Sequence, residues 1–191
     1  MADIDLSLSV AKLVEEMRKG GGPPGAAALT QLATTIAQAF KAKKEEVAIL
    51  RVSPDGRMLG FVFPLKLARI GAIPLTTAHS LAAKNIRDKR GEIVNNFSVY
   101  RHPTVFEAVD LSAEEKAAPI QKIVSAPMIA EGKVAGVIQI SRKGRGTDPL
   151  GPDFTPQDLA ELIAVGSILG RYLATLPAMA PSTSRRKPAQ P

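Results

Sequence analysis

Two apolar runs joined by a tight turn occur twice in this chain, and that repetition constrains the fold more than any other feature. Val47–Val52 and Met58–Phe63 flank Ser53-Pro54-Asp55-Gly56. Lys122–Ile129 and Lys133–Ile140 flank Ala130-Glu131-Gly132. Pro presets one backbone angle of a turn, and Asp and Gly tolerate the others, so each pair reads as an antiparallel hairpin. No strand–helix–strand alternation with a glycine fingerprint appears, which leaves a Rossmann nucleotide site without support.

Helical patterns bracket the hairpins. Leu29, Leu32, Ala33, Ile36, Ala37 and Phe40 form one apolar stripe at helical spacing. Lys41, Lys43 and Lys44 follow it and complement the C-terminal dipole. Near the other end, Thr155-Pro156-Gln157-Asp158 is a capping box with Pro at the first helical position. Leu159, Leu162, Ile163, Gly166, Leu169, Gly170, Leu173 and Leu176 continue in helical register, about 30 Å of helix at ~1.5 Å per residue. The first segment is ambiguous. Ile4, Leu6, Leu8 and Val10 alternate as in a strand, whereas Val10, Leu13, Val14 and Met17 repeat as in a helix. We read a short amphipathic helix capped by Ser7 or Ser9. The run Gly20-Gly21-Gly22-Pro23-Pro24-Gly25 ends it as a linker. It is no phosphate loop, because two prolines remove N–H donors and no Lys-Ser/Thr follows.

Between the hairpins lies a long excursion, Leu67–Ala118. A helix is predicted from Thr76 or Thr77, with Ala78, Leu81, Ala82 and Ile86 on one face and Gly91 as terminator. Glu92–Val94 reads as a short strand, Asn95–Pro103 as loop, and Ser112-Ala113-Glu114-Glu115 as the capping box of a further short helix. So long a segment inside a compact domain is commonly functional.

Composition excludes much chemistry. The 191 residues include no Cys and two His, which removes disulfides, thiolate metal sites, thiol nucleophiles and a His-rich metal centre. No metal site is expected, and the sequence leaves any cofactor unknown. No nucleophile elbow, triad order or metal spacing is visible. The paired carboxylates Glu45-Glu46 and Glu114-Glu115 fall at helix caps or loops, where the dipole explains them. The chain is therefore read as a non-enzyme. Its net charge of +7 is concentrated in part at Arg185, Arg186 and Lys187. Without those three, 22 cations stand against 18 acids, or +4. That mild excess, with few aromatics for base stacking, argues against nucleic acid as a partner. No run of ~18 apolar residues exists to span a membrane. Asp3 and Asp5 sit where a secretory leader would carry Lys or Arg, so a cytoplasmic location is expected.

In this order the elements resemble a GAF domain, the small-molecule sensor module related to PAS domains. The resemblance rests on Ile73-Pro74-Leu75 before the excursion helix, on Ser125-Ala126-Pro127-Met128-Ile129 through Gly132–Ile140, and on Asp153-Phe154-Thr155-Pro156-Gln157-Asp158. It covers about Leu29–Leu176. It implies an α+β fold: an antiparallel sheet of five or six strands, the terminal helices on one face, and the helix/loop excursion over a pocket on the other. The implied division is an N-terminal helix and Gly/Pro linker over 1–25, a GAF-like domain over 26–176, and a disordered basic Pro/Ser tail over 177–191. Bilin attachment and free methionine sulfoxide reduction both need Cys in this family, and there is none. Cyclic-nucleotide-binding members carry Asn-Lys…Phe-x-x-x-Asp-Glu. Here Asn95, Phe106 and Asp110 match, but Asn96 and Leu111 replace the Lys and the Glu.

The resemblance therefore implies a bacterial-style sensor or regulatory domain for an unidentified small molecule. With no output domain on the chain, signalling would pass through a partner protein or a homodimer paired along the first and last helices. A ligand-free dimerisation or scaffold module is the alternative. Ligand candidates are His79, Asn85, Asn95, Phe97, Tyr100 and Phe106. Their competing roles are ordinary: a partly exposed helix histidine, turn-forming asparagines, a solvated tyrosine and core phenylalanines.

Overall fold

In a computed structural model, the structure describes residues 5–69, 72–97, 119–145 and 150–177. The elements run α1 (Leu6–Lys19), α2 (Ala26–Ala39), β1 (Val47–Val52), β2 (Met58–Phe63), β3 (Ala72–Pro74), α3 (Leu81–Asp88), β4 (Glu92–Val94), β5 (Ile120–Ala130), β6 (Lys133–Lys143) and α4 (Pro156–Thr175). The strands form one six-stranded sheet in the order β3-β2-β1-β6-β5-β4, and every neighbouring pair is antiparallel. Both expected hairpins are present. In the second, Glu131 and Gly132 both take positive φ, at 50° and 76°, which matches the twist of the flanking strands.

Strand alternation gives the sheet two distinct faces. Val47, Ile49, Val124, Ala126, Met128, Ile138 and Ile140 join a large core with the apolar stripes of α1, α2 and α4. The opposite face carries two smaller clusters. One holds Leu50, Leu59, Phe61, Leu67, Ile73, Ala82 and Val137, and the other Leu81, Val94 and Ile123. α3 lies on this second face, packed across β5 and β6.

Several local expectations are refined. α1 begins at Leu6, because Asp5 rather than a serine accepts the N–H of Leu8 as its cap. Its Leu6, Val10, Val14 and Met17 are buried within the same core as α2 and α4, so the burial they require is met inside the chain. α3 begins at Leu81, not near Thr76, because Ser80 caps it by accepting the N–H of Ala83. Thr76, Thr77 and Ala78 precede the helix, and Ala78 is exposed. In α4 the Thr155–Asp158 capping box is closed by hydrogen bonds in both directions. Its stripe rotates slightly from the one expected: Val165 is buried, while Ile163 is 42% exposed. The helix expected at Ser112 and the tail beyond Pro177 lie outside the described residues.

Two arginines tie helix ends to the sheet. Arg51 on β1 donates to the carbonyls of Leu176 and Pro177, where α4 leaves the sheet. Burial lowers its pKa from the ordinary value. Arg142 on β6 is buried, donates to the carbonyls of Phe40 and Lys41 at the end of α2, and lies 4.5 Å from the ring centroid of Phe154. Each cation meets the negative end of a helix dipole, which explains why it is tolerated at the core's rim.

Candidate functional site

On the second sheet face, α3 supplies a buried polar group that the fold does not use. Asn85 follows Leu81 by four residues and Ala82 by three, so it lies on the stripe of α3 whose residues join the apolar clusters. It is 2% exposed, and its Oδ1 accepts no hydrogen bond. A buried acceptor left without a donor costs roughly 1–3 kcal/mol and calls for an explanation. α3 forms there because Ser80 caps it and because Lys89, in the left-handed conformation at φ 51°, stops it.

The strands beneath α3 carry a second polar feature. Ser125 lies between Val124 and Ala126, and Gln139 between Ile138 and Ile140. Those four apolar side chains all point into the helix-side core, so alternation turns Ser125 and Gln139 to the α3 side. They are cross-strand partners. Gln139 Nε2 donates to Ser125 Oγ at 2.9 Å, and Ser125 is fully buried. Ser80, also buried, is occupied as the helix cap. The sequence reading missed both members of this pair. The signal was there: a single polar residue inside each of two otherwise apolar strand cores.

The six expected ligand residues are not all brought together. Asn85 and Phe97 share the α3 face, where Phe97 packs against Leu81, Val94 and Ile123. His79 is exposed in the turn before α3. Asn95 is turned elsewhere. Its Nδ2 donates to the Phe154 carbonyl and its Oδ1 accepts the Phe154 N–H, both at 2.9 Å. The carboxamide thus stands in for a strand partner and ties the end of β4 to the lead-in of α4. Tyr100 and Phe106 lie outside the described residues.

The charged groups of α3 face away from this interior. Lys84 pairs with Glu92 at the surface, and Arg87 donates to the Leu75 carbonyl at 2.8 Å. Among the described residues no three His, Asp or Glu side chains gather to hold a metal ion. No described helix is long and apolar enough to cross a membrane. Among the described residues the site is thus an apolar wall set with a few uncharged hydrogen-bonding groups.

No protein-family model and no curated protein matches the sequence. Solved structures do match the fold. The GAF domain of an Acinetobacter phosphoenolpyruvate-protein phosphotransferase aligns over 91% of this chain and 95% of its own, with a TM-score of 0.62 at 15% identity. The corresponding Coxiella burnetii GAF domain aligns over 88% and 94%, at 0.56 and 12%.

The fold is that of a GAF domain.

The same GAF fold serves different ends. Free methionine-R-sulfoxide reductase from Neisseria meningitidis, solved with its substrate, aligns over 91% of this chain and 93% of its own, with a TM-score of 0.54 at 14% identity. The fold therefore occurs both as a domain of phosphotransferases and as a free-standing reductase, and the site must decide what it does here.

Proposed function

We propose that this protein is a non-enzymatic GAF-like sensor or regulatory domain. It binds a small molecule on the α3 side of the sheet and signals through a partner protein or through a second copy of itself. The observation that carries this reading is Asn85, a buried carboxamide whose oxygen has no internal donor. Pockets that bind small molecules are mostly apolar with a few placed polar groups, and Asn85 with the Ser125–Gln139 pair fits that description. Against a catalytic reading, the chain has no Cys, and among the described residues neither His79 nor any carboxylate is buried on this face to activate the Ser125 hydroxyl.

Signalling by self-association is supported on the helix side. Leu8 of α1 is 54% exposed and Ile163 of α4 is 42% exposed, beside the exposed small residues Ala160 and Ala164. That surface also favours the second reading, a scaffold that pairs without a ligand. Native mass spectrometry of the protein purified from its own host separates the two. The sensor reading predicts a copurified small molecule that is lost from Asn85→Ala. A dimer with no bound molecule at any growth stage would favour the scaffold.

A further inference from the structure

β4 pairs with β5 only over Ile123–Ser125, while β5 runs on to Ala130. From Pro127 onward the outer edge of β5 therefore has no strand beside it among the described residues. Pro127 brings no N–H to that edge, which disfavours a further strand there. An open groove with room of about 300 Å³ lies there instead. Lys89 and Arg90 line it from the end of α3, Pro127 and Ile129 from β5, and Ile163 and Ser167 from α4. The stretch between α3 and β4 passes this close because residue 91 is glycine: a Cβ there would meet Leu159 Cδ1 at 2.7 Å and the Ser125 carbonyl oxygen at 3.0 Å.

The groove joins an apolar floor to a cationic end. Pro127 is buried, Ile129 half-buried and Ile163 exposed, so the floor is open to solvent along one side. None of the lining residues is acidic. The two cations differ in what occupies them. Lys89 stands at the negative end of α3, and its Nζ donates to the Gly132 carbonyl at 3.1 Å. Arg90 is exposed and pairs with no acid among the described residues. Ser167 spends its hydroxyl hydrogen on the Ile163 carbonyl, also at 3.1 Å. The Arg90 guanidinium is thus the group left to meet a polar head.

We propose that this groove, past the end of α3, is a second binding site, and that it takes a small carboxylate with an apolar tail. The tail lies on Pro127, Ile129 and Ile163, and the carboxylate meets Arg90. A guanidinium suits that head because its planar fork offers two N–H groups to the two oxygens of one carboxylate. Room of about 300 Å³ is the lower bound for a small-molecule site, whereas a stable protein partner covers about 800 Å² on each side. A neutral twin of the ligand keeps the tail contacts and loses the charge. A cationic twin meets Arg90 as a like charge. This site and the Asn85 wall are independent, and either stands without the other.

The experiment titrates isotope-labelled full chain with hexanoate, hexanamide, hexylammonium and acetate at low salt, following backbone amide signals. Hexanoate should shift Gly91, Ile129 and Ser167 and bind about two- to fivefold tighter than hexanamide, the range expected of an exposed charge pair. Hexylammonium should bind more weakly than either, and acetate, with no tail, should shift nothing. Arg90→Gln should bring hexanoate down to the affinity of hexanamide and leave hexanamide unchanged, and added salt should close the same gap. Arg90 is exposed, so that variant keeps the fold, and the comparison among the four probes needs no variant. Hexanamide binding as tightly as hexanoate would overturn the proposal, as would hexanoate binding untouched by Arg90→Gln, or no binding of hexanoate. Shifts at Asn85 and Gln139 in place of the groove would put the carboxylate at the sensor wall and overturn this site alone. Shifts of the groove signals with protein concentration and no probe would show a second copy seated there, and would overturn it too.

Discussion

On one side of the sheet, α1, α2 and α4 close over a continuous apolar core in which Val10, Leu32, Ile36, Met128, Ile138, Leu162 and Leu169 are almost wholly buried. On the other side, α3 covers two separate and smaller clusters, and polar Asn85 and Ser125 are buried with them. The first side also brings backbones close. A Cβ at Gly166 would meet the Pro127 carbonyl oxygen at 3.2 Å, and one at Gly170 would meet the backbone of Met128 and Ile129 at 3.0 and 3.1 Å. Dense packing of that kind contributes stability and fixes geometry. Unpaired buried polar atoms occur on both sides, Asn85 Oδ1 on the second and Arg142 Nε and Tyr172 Oη on the first, and each costs stability. The difference between the faces therefore lies in packing: one dense core on the first, two small clusters with buried Asn85 and Ser125 on the second.

The largest effect should come where the sheet has no room at all. At Gly136 a Cβ would lie 2.0 Å from the Leu50 carbonyl oxygen and 2.6 Å from the Met128 methyl. Gly136→Ala should destabilise by about 3 kcal/mol or more, since backbone cannot yield as a flexible side chain can. A lowered urea midpoint, or failure to fold, checks this. Next, Leu162→Ala in the helix-side core should cost about 2–5 kcal/mol, toward the upper end. Ile73→Ala, on the short strand β3, should fall near the bottom of that range, at about 2 kcal/mol. The reverse order in denaturant titrations would break the assignment of stability to the helix side.

A finer test sets the two asparagines against each other. Asn95 satisfies both the N–H and the carbonyl of Phe154, so Asn95→Ala strands two backbone groups. It should cost about 1–3 kcal/mol in thermal or chemical unfolding. If Asn95→Ala were silent, its amide would not be structural and a ligand role would regain ground.

Tyr172 offers a smaller, pH-dependent effect on the helix side. Its hydroxyl is buried without a partner, and burial raises its pKa above the usual 10.0. Because the folded value is the raised one, the neutral phenol's contribution is complete below pH 10 and declines as pH climbs from there through the folded value. Tyr172→Phe should lose that alkaline decline and nothing near neutrality. Parallel melting curves at pH 8 and pH 11 would check the sign.

Much of the helix side was legible because it rests on periodicity. The stripe in α2, the capping box of α4 and the turn residues of both hairpins each have a local physical cause, and each lies where the pattern puts it. The start of α3 was misread because Ala78 extends the apolar spacing, whereas the Ser80 cap decides where the helix begins. The site was harder. Whether an asparagine is buried, and whether its amide is used, depends on partners distant in sequence: Asn95 meets Phe154, and Asn85 meets no donor. Ser125 and Gln139 were readable as polar breaks in apolar strands, but their pairing needs the register of β5 on β6.

The central claim is that Asn85 is retained for something other than the fold, and unfolding of Asn85→Ala tests it most directly. Removing an acceptor that has no donor takes away no bond, and alanine favours a helix interior by several tenths of a kcal/mol. The account predicts that Asn85→Ala unfolds in urea within about 1 kcal/mol of the unaltered protein, or is more stable, when no small molecule is bound. A loss of about 2 kcal/mol or more would show that Asn85 holds the fold together, and would contradict the account.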